Sequence, residues 1–185
     1  MVCVLYGDSG AGKTCLIKRF SGGEAITEND MVPRTADNTV KNFSGSQISR
    51  PSAVSLLVHD TDGALEIRKD EEADVIIICF DIVKPDSLEK AKSKWAPGVK
   101  AQMPGKPLFL VGCKSDMRGE KFEGIEIPSV SNEQATAAAS EMGAVKYFEF
   151  SARADGVDPK EIFLAAVIAA LPPPPKAEGG CCVVM

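Results

Sequence analysis

Gly7-Asp8-Ser9-Gly10-Ala11-Gly12-Lys13-Thr14 stands directly behind the apolar run Val2-Cys3-Val4-Leu5-Tyr6 and directly ahead of Cys15-Leu16-Ile17-Lys18-Arg19-Phe20. The octapeptide fits G-x-x-x-x-G-K-[ST], a pattern that average residue usage produces on the order of once in a few hundred chains of this length. Its small residues let successive backbone N–H groups turn inward around a polyphosphate, and the helix that follows aims its positive end at the same point. Gly7, Asp8, Ser9, Gly10, Ala11, Gly12, Lys13, Thr14 and Cys15 are therefore the expected phosphate-binding residues. Lys13 would meet the β- and γ-phosphates, and the Thr14 hydroxyl would meet Mg²⁺.

Working outward, 185 residues at 44% hydrophobic content are enough for one good core and give no sign of two. A net charge of −5, with Lys and Arg scattered along the chain, argues against a nucleic-acid partner. No basic leader opens the chain, and its longest apolar run, Ile162 to Leu171, is too short to span a bilayer. Cys3, Cys15, Cys79 and Cys113 lack metal-ligand spacing and read as reduced, buried thiols, with Cys113 in a loop.

The chain alternates between strand and helix signals. Thr14 to Phe20 reads as a helix stopped by Ser21-Gly22-Gly23, and Glu24 to Asn38 as a long polar connection of the kind that carries function. Thr39 to Phe43 and Ala53 to His59 read as strands around a turn. Val75 to Phe80, with no polar face, reads as a strand covered on both sides. A helix is expected from Asp86 or Ser87 until Pro97 closes or kinks it near Trp95. Leu108 to Gly112 is the next buried strand, and Ser131-Asn132-Glu133-Gln134 is a capping box opening a helix that ends at Met142-Gly143. Lys146 to Ser151 and Asp158 to Leu171 complete the series as strand and helix. The alternation predicts an α/β fold, a single P-loop domain with a mostly parallel six-stranded sheet and helices on both faces. Its boundaries are expected at 1–171, with a Pro/Gly-rich tail at 172–185.

Two further constellations fall just past strands, where such sheets bind ligands. Asp60 stands where a carboxylate would hold Mg²⁺ opposite Thr14, and Gly63 would let its N–H approach a γ-phosphate. His59, the single histidine, reads as strand packing. In Gly112-Cys113-Lys114-Ser115-Asp116, the Asp116 carboxylate can accept from both the N1–H and the exocyclic amine of guanine, an edge that adenine lacks. Lys114 can lie along the base, and Cys113 is counted with it among the expected nucleotide-binding residues. In Ser151-Ala152-Arg153 a backbone N–H would meet the guanine oxygen.

With these loops in order, the chain resembles the Ras superfamily of small GTPases, and most closely its Rho subgroup. The resemblance rests on Gly12 to Leu16, Cys79 to Val83 with Pro85-Asp86-Ser87, Lys94-Trp95 with Pro97, Leu110 to Gly112 with Lys114, Asp116 and Arg118, and Gly143 to Tyr147. It implies GTP and GDP as ligands with Mg²⁺, effectors, exchange factors and dissociation inhibitors as partners, and a lipid anchor at the cytoplasmic face of a membrane with a cytosolic pool. Ser9-Gly10 is closer to the Rab subgroup, and the loop between Arg118 and Ser129 is too short for a full Rho insert helix.

The departures bear on mechanism. The family's water-orienting Gln is Ala64 here, so no catalytic residue is assigned and hydrolysis is expected to be very slow. Asp62 replaces a small apolar residue, and the segment from Ala64 to Ala73 is short and acidic. Arg34 falls where the Mg²⁺-binding Thr belongs, with Thr35 displaced by one and able to serve if the loop bulges. No aromatic residue in Glu24 to Met31 can cover guanine, which predicts weaker nucleotide binding and faster exchange. These features leave open a lipid-anchored pseudo-GTPase with little nucleotide affinity. A P-loop ATPase or nucleotide kinase is disfavoured by Lys114 and Asp116.

Four prolines, Pro172 to Pro175, form a stiff spacer, and Cys182-Val183-Val184-Met185 fits C-a-a-X, with terminal Met favouring a farnesyl group on Cys182. A single lipid binds membrane reversibly, and the tail's one basic residue is Lys176. Cys181 is therefore the expected second, palmitoylated anchor.

Overall fold

A computed structural model describes residues 1–24, 39–61, 72–153 and 157–173. Ala64, Gly63, Asp62, Arg34, Thr35, Cys181 and Cys182 lie outside the described residues.

Six strands form one sheet: β1 (Val2–Tyr6), β2 (Thr39–Phe43), β3 (Val54–Asp60), β4 (Val75–Asp81), β5 (Leu108–Cys113) and β8 (Lys146–Phe150), in the order β2-β3-β1-β4-β5-β8. Within this sheet the β2–β3 pair is antiparallel and the other pairs are parallel. The expected mostly parallel α/β architecture is the one observed. β4 is buried at every position, which is why its sequence shows no polar alternation. Its side chains divide between the two faces. Val75, Ile77 and Cys79 join Leu16, Ile17 and Phe20 of α1 (Lys13–Phe20) and Ile162, Phe163 and Val167 of α6 (Pro159–Ala170). Ile76, Ile78 and Phe80 pack on the other side against Trp95, Val99, Ala135 and Ala138.

Helix ends follow the sequence closely. Gly22, at φ +98°, lets the chain reverse after α1, while the N–H of Gly23 bonds the Lys18 carbonyl and that of Gly22 the Arg19 carbonyl. Both halves of the Ser131–Gln134 capping box open α5 (Asn132–Glu141).

Three expectations need correction and a fourth is narrowed. The turn between β2 and β3 contains a four-residue helix, α2 (Gly45–Ile48), with its own capping box from Ser44 and Gln47 and with Ile48 buried. Of the two alternatives at Pro97, closing or kinking, closing is excluded: α3 (Pro85–Lys90) runs through a π-helical turn (Ala91–Trp95) into α4 (Ala96–Gln102). A proline has no N–H and crowds the carbonyl four residues back, and the wider turn relieves both problems. Burial of Trp95, Ala96 and Val99 keeps the helix going. Cys113 is the last residue of β5 rather than part of a loop, and in the connection that follows, β6 (Lys121–Phe122) and β7 (Ile125–Glu126) form a small hairpin.

Candidate functional site

The carboxyl ends of β1, β3, β4, β5 and β8 rise from one edge of the sheet. Leu5 pairs with Asp60, Tyr6 with Ile78, Asp81 with Cys113, and Cys113 with Phe150. The loops that follow are the ones the sequence motifs occupy, so strand register alone brings residues 7–15, 60, 113–116 and 151–153 to the same side.

The glycines after β1 have distinct jobs. Gly7 stands at φ +140°, and a Cβ there would lie 2.2 Å from the Cys79 carbonyl oxygen, so the loop presses onto β4 where no side chain fits. Gly12, at φ +101°, is the N-cap of α1, and a Cβ on it would meet the Cys113 Cβ at 2.8 Å. Gly10, at φ +78°, faces open space. No side chain caps α1, which leaves the first-turn N–H groups turned toward the loop. Lys13 is only 5% exposed, and its ammonium donates to the carbonyls of Gly7 at 2.8 Å and Asp8 at 3.0 Å. Among the described residues no carboxylate pairs with it. This is a buried cation on a cradle of main-chain dipoles, a setting that an anion completes.

Asp8 is anchored from outside the loop. The Trp95 indole donates to its Oδ1 at 3.0 Å, and the Lys90 ammonium lies 3.0 Å from Oδ2. Burial alone would raise its pKa, but these two donors outweigh that and hold it below the usual carboxylate value. Ser9 is exposed, Ala11 is buried, and Cys15 is half-buried with its thiol pushed up mainly by burial.

Thr14 Oγ1 donates to Asp60 Oδ2, so helix α1 and strand β3 bring a hydroxyl and a carboxylate into direct contact. These are hard oxygen donors, and they fit Mg²⁺. Beside them a cleft of about 310 Å³ is lined by Thr14, Ile17, Lys18, Ser21, Gly23, Thr39 and Asp60. His59 sits half-buried in β3.

On the other side of the loop, Asp116 Oδ1 accepts from Ser151 Oγ at 2.5 Å, so the two segments expected to meet the base touch. The backbone N–H of Arg153 donates to the same Ser151 Oγ at 3.1 Å, and Ala152 lies between them, half-buried. Lys114 takes a left-handed backbone, φ +65°, and its ammonium pairs with the buried Asp81 Oδ2 at 2.5 Å. Such a conformation in a non-glycine residue is held only by surrounding structure and is concentrated at functional sites. The Cys113 side chain underlies Gly12. The Cys79 thiol beside it and its complete burial push the Cys113 thiol well above its ordinary pKa.

The Ras family profile matches residues 2–171, nearly the whole chain. The chain is also 35% identical, over 176 residues, to "GTP-binding protein Rho1" of Kluyveromyces lactis, covering 90% of this chain and 81% of that protein. This chain is a Rho-like small GTPase of the Ras family. The equally named protein of Eremothecium gossypii gives the same identity over 90% of this GTPase and 82% of its own length.

Sequence reasoning missed three partners in the site of this GTPase: Trp95 and Lys90 on Asp8, and Asp81 on Lys114. The Trp95 contact joins residues 87 positions apart, and no local pattern announces it. Among the described residues no helix is long and apolar enough to cross a membrane.

Proposed function

We propose that this chain is a guanine-nucleotide switch tethered to a membrane by lipid, with GTP hydrolysis slowed by its own sequence. The observation that carries the reading is the 5%-exposed Lys13 ammonium, held on the Gly7 and Asp8 carbonyls at the mouth of an uncapped helix. Residues 1–171 are the nucleotide-binding domain and 172–185 the tail. Gly7 to Cys15 bind the phosphates, Gly63 contributes its N–H, and Asp116 selects guanine with Cys113, Lys114, Ser151, Ala152 and Arg153 around the base. Thr14 and Asp60, with Thr35 as a third ligand, would hold Mg²⁺, which would supply charge neutralisation at the phosphates.

Ala64 is the reason hydrolysis is slow, because a methyl group cannot orient water. The GTP-bound form therefore persists and engages effectors, with exchange factors and dissociation inhibitors as regulators. Cys182 receives the prenyl group and Cys181 a second acyl chain, which places the protein at the cytoplasmic face of a membrane.

Releasing and identifying the nucleotide that copurifies with the protein tests the reading. Guanine nucleotide supports it, adenine sinks it, and an empty protein that takes up no GDP favours a lipid-anchored interaction module. That second reading is suggested by Arg34 and by the lack of an aromatic residue in Glu24 to Met31. For the hydrolytic part, Ala64→Gln is expected to raise the single-turnover rate at least tenfold, toward the range that a positioned catalytic group supplies. An unchanged rate would place the block elsewhere in the switch segments.

A further inference from the structure

Arg118 follows directly on the short 3₁₀ turn (Ser115–Met117) that carries Asp116. Its guanidinium forks onto Glu149 of β8, with Nη1 to Oε2 at 2.7 Å and Nη2 to Oε1 at 2.6 Å, and its Nε donates to the Val130 carbonyl at 3.1 Å. Glu149 stands two residues before Ser151, and the Ser151 hydroxyl reaches back to Asp116. The result is a closed ring: Asp116 to Arg118 along the chain, Arg118 to Glu149 through two hydrogen bonds, Glu149 to Ser151 along the chain past the end of β8, and Ser151 to Asp116 through a third.

Other groups tighten the same ring. Glu149 Oε1 also accepts from the Tyr147 hydroxyl at 2.9 Å and from Asn132 Nδ2 at 3.1 Å. The Tyr147 hydroxyl lies where a Cβ on Gly112 would stand, 2.6 Å away, so β5 has a glycine at the crossing. The arginine and glutamate side chains are 30% and 21% exposed, which shields the pair from water without isolating it. A bidentate guanidinium–carboxylate pair fixes both distance and angle, whereas an ammonium in its place would fix neither.

We propose that Arg118, acting through Glu149, is a positioning residue for guanine selection, holding the Asp116 carboxylate in register with the segment at Ser151. The Arg118 guanidinium is engaged by Glu149 and the Val130 carbonyl, and its effect passes through the ring. The inference rests on the guanine-nucleotide reading above and names the device that gives that site its base specificity.

The test compares GDP with IDP, which lacks the exocyclic amine and so makes one fewer hydrogen bond to Asp116. Affinities of the full chain are measured with Mg²⁺ for wild type, Arg118→Ala, Arg118→Lys and Glu149→Gln. In wild type the IDP:GDP ratio of dissociation constants reports how well the carboxylate is placed. Arg118→Ala is expected to raise the GDP dissociation constant tenfold or more and to cut that ratio about tenfold. Arg118→Lys should fall between. Adding Glu149→Gln to Arg118→Ala should change the ratio no further, since both act through one link.

Should Arg118→Ala fail to fold, Arg118→Lys and Glu149→Gln carry the same comparison. A ratio that stays at the wild-type value while both affinities fall together would make the ring a structural brace and overturn the inference alone. Wild-type protein that binds neither nucleotide would overturn this inference and the reading beneath it together.

Discussion

Replacing Trp95 by Phe takes one donor from the Asp8 carboxylate and leaves most of the surrounding packing in place. The indole Nε1 stands 3.0 Å from Asp8 Oδ1, and the ring is 2% exposed, stacked on Tyr6 at a centroid distance of 6.1 Å. A hydrogen bond to an ionised acceptor contributes about 1.5–3 kcal/mol net. Asp8 is 24% exposed, so water takes over the vacated oxygen in part, and the expected coupling lies nearer about 1–2 kcal/mol. The smaller ring also leaves a void worth about 1 kcal/mol or more, and a double-mutant cycle separates that cost from the hydrogen bond. The cycle pairs Trp95→Phe with Asp8→Ala in urea unfolding followed by far-ultraviolet circular dichroism, because Trp95 is the only tryptophan and fluorescence is lost with it.

Acid titration supplies a second reading of the same bond. Asp8 is held below its ordinary pKa, so its contribution is fully present above pH about 4 and is lost as pH falls through the depressed folded value. Trp95→Phe moves the folded pKa back toward the unfolded one, and the variant should lose less stability than wild type between pH 5 and pH 3. Additivity within about 0.3 kcal/mol, together with an unchanged acid limb, would refute the claim that the helix segment around the π-helical turn anchors the phosphate loop.

Lys13→Met should abolish GDP-induced stabilisation, which in wild type reaches about 2.7 kcal/mol at a ligand concentration 100 times the dissociation constant; thermal unfolding with and without GDP reads both. Without ligand the variant should be no less stable than wild type, since it removes a buried charge that, among the described residues, is held by carbonyls alone. Gly12→Ala should cost about 2 kcal/mol or more from its +101° backbone and its clash with the Cys113 Cβ. Chemical denaturation should show partial rescue by Cys113→Gly and a smaller one by Cys113→Ala, which removes the Sγ contact at 3.0 Å but keeps the Cβ contact at 2.8 Å. Alkylation at pH 8, mapped by mass spectrometry, should label Cys15 before Cys3, Cys79 or Cys113, since the last three are buried and Cys3 and Cys113 are also held protonated by their surroundings.

Local chemistry explains what was readable in the sequence. The phosphate loop, the fully apolar β4 and the Ser131–Gln134 box each depend on neighbours within a few positions, so their patterns are complete in the sequence. α2 carried a readable signal in Ser44 and Gln47, but four residues are too few for a helical period to show. Of the two outcomes expected at Pro97, closure or a kink, closure does not occur, because burial of Trp95 and Val99 outweighs what a proline does to an isolated helix. In the candidate site, the residues expected to meet phosphate and metal could be named one motif at a time. The Asp81 partner of Lys114 and the Glu149 partner of Arg118 were not, being 33 and 31 residues away.

By itself the sequence determined which backbone could cradle a phosphate, where strands and helices alternate, and that the motifs follow strand ends, since backbone sterics and short-range polarity settle those matters. The tertiary structure decided how the loops brace one another. Parallel register carries Asp8 to Trp95, Gly12 onto Cys113 and Asp116 to Ser151, and contacts across such separations exist only once the sheet has closed the intervening chain.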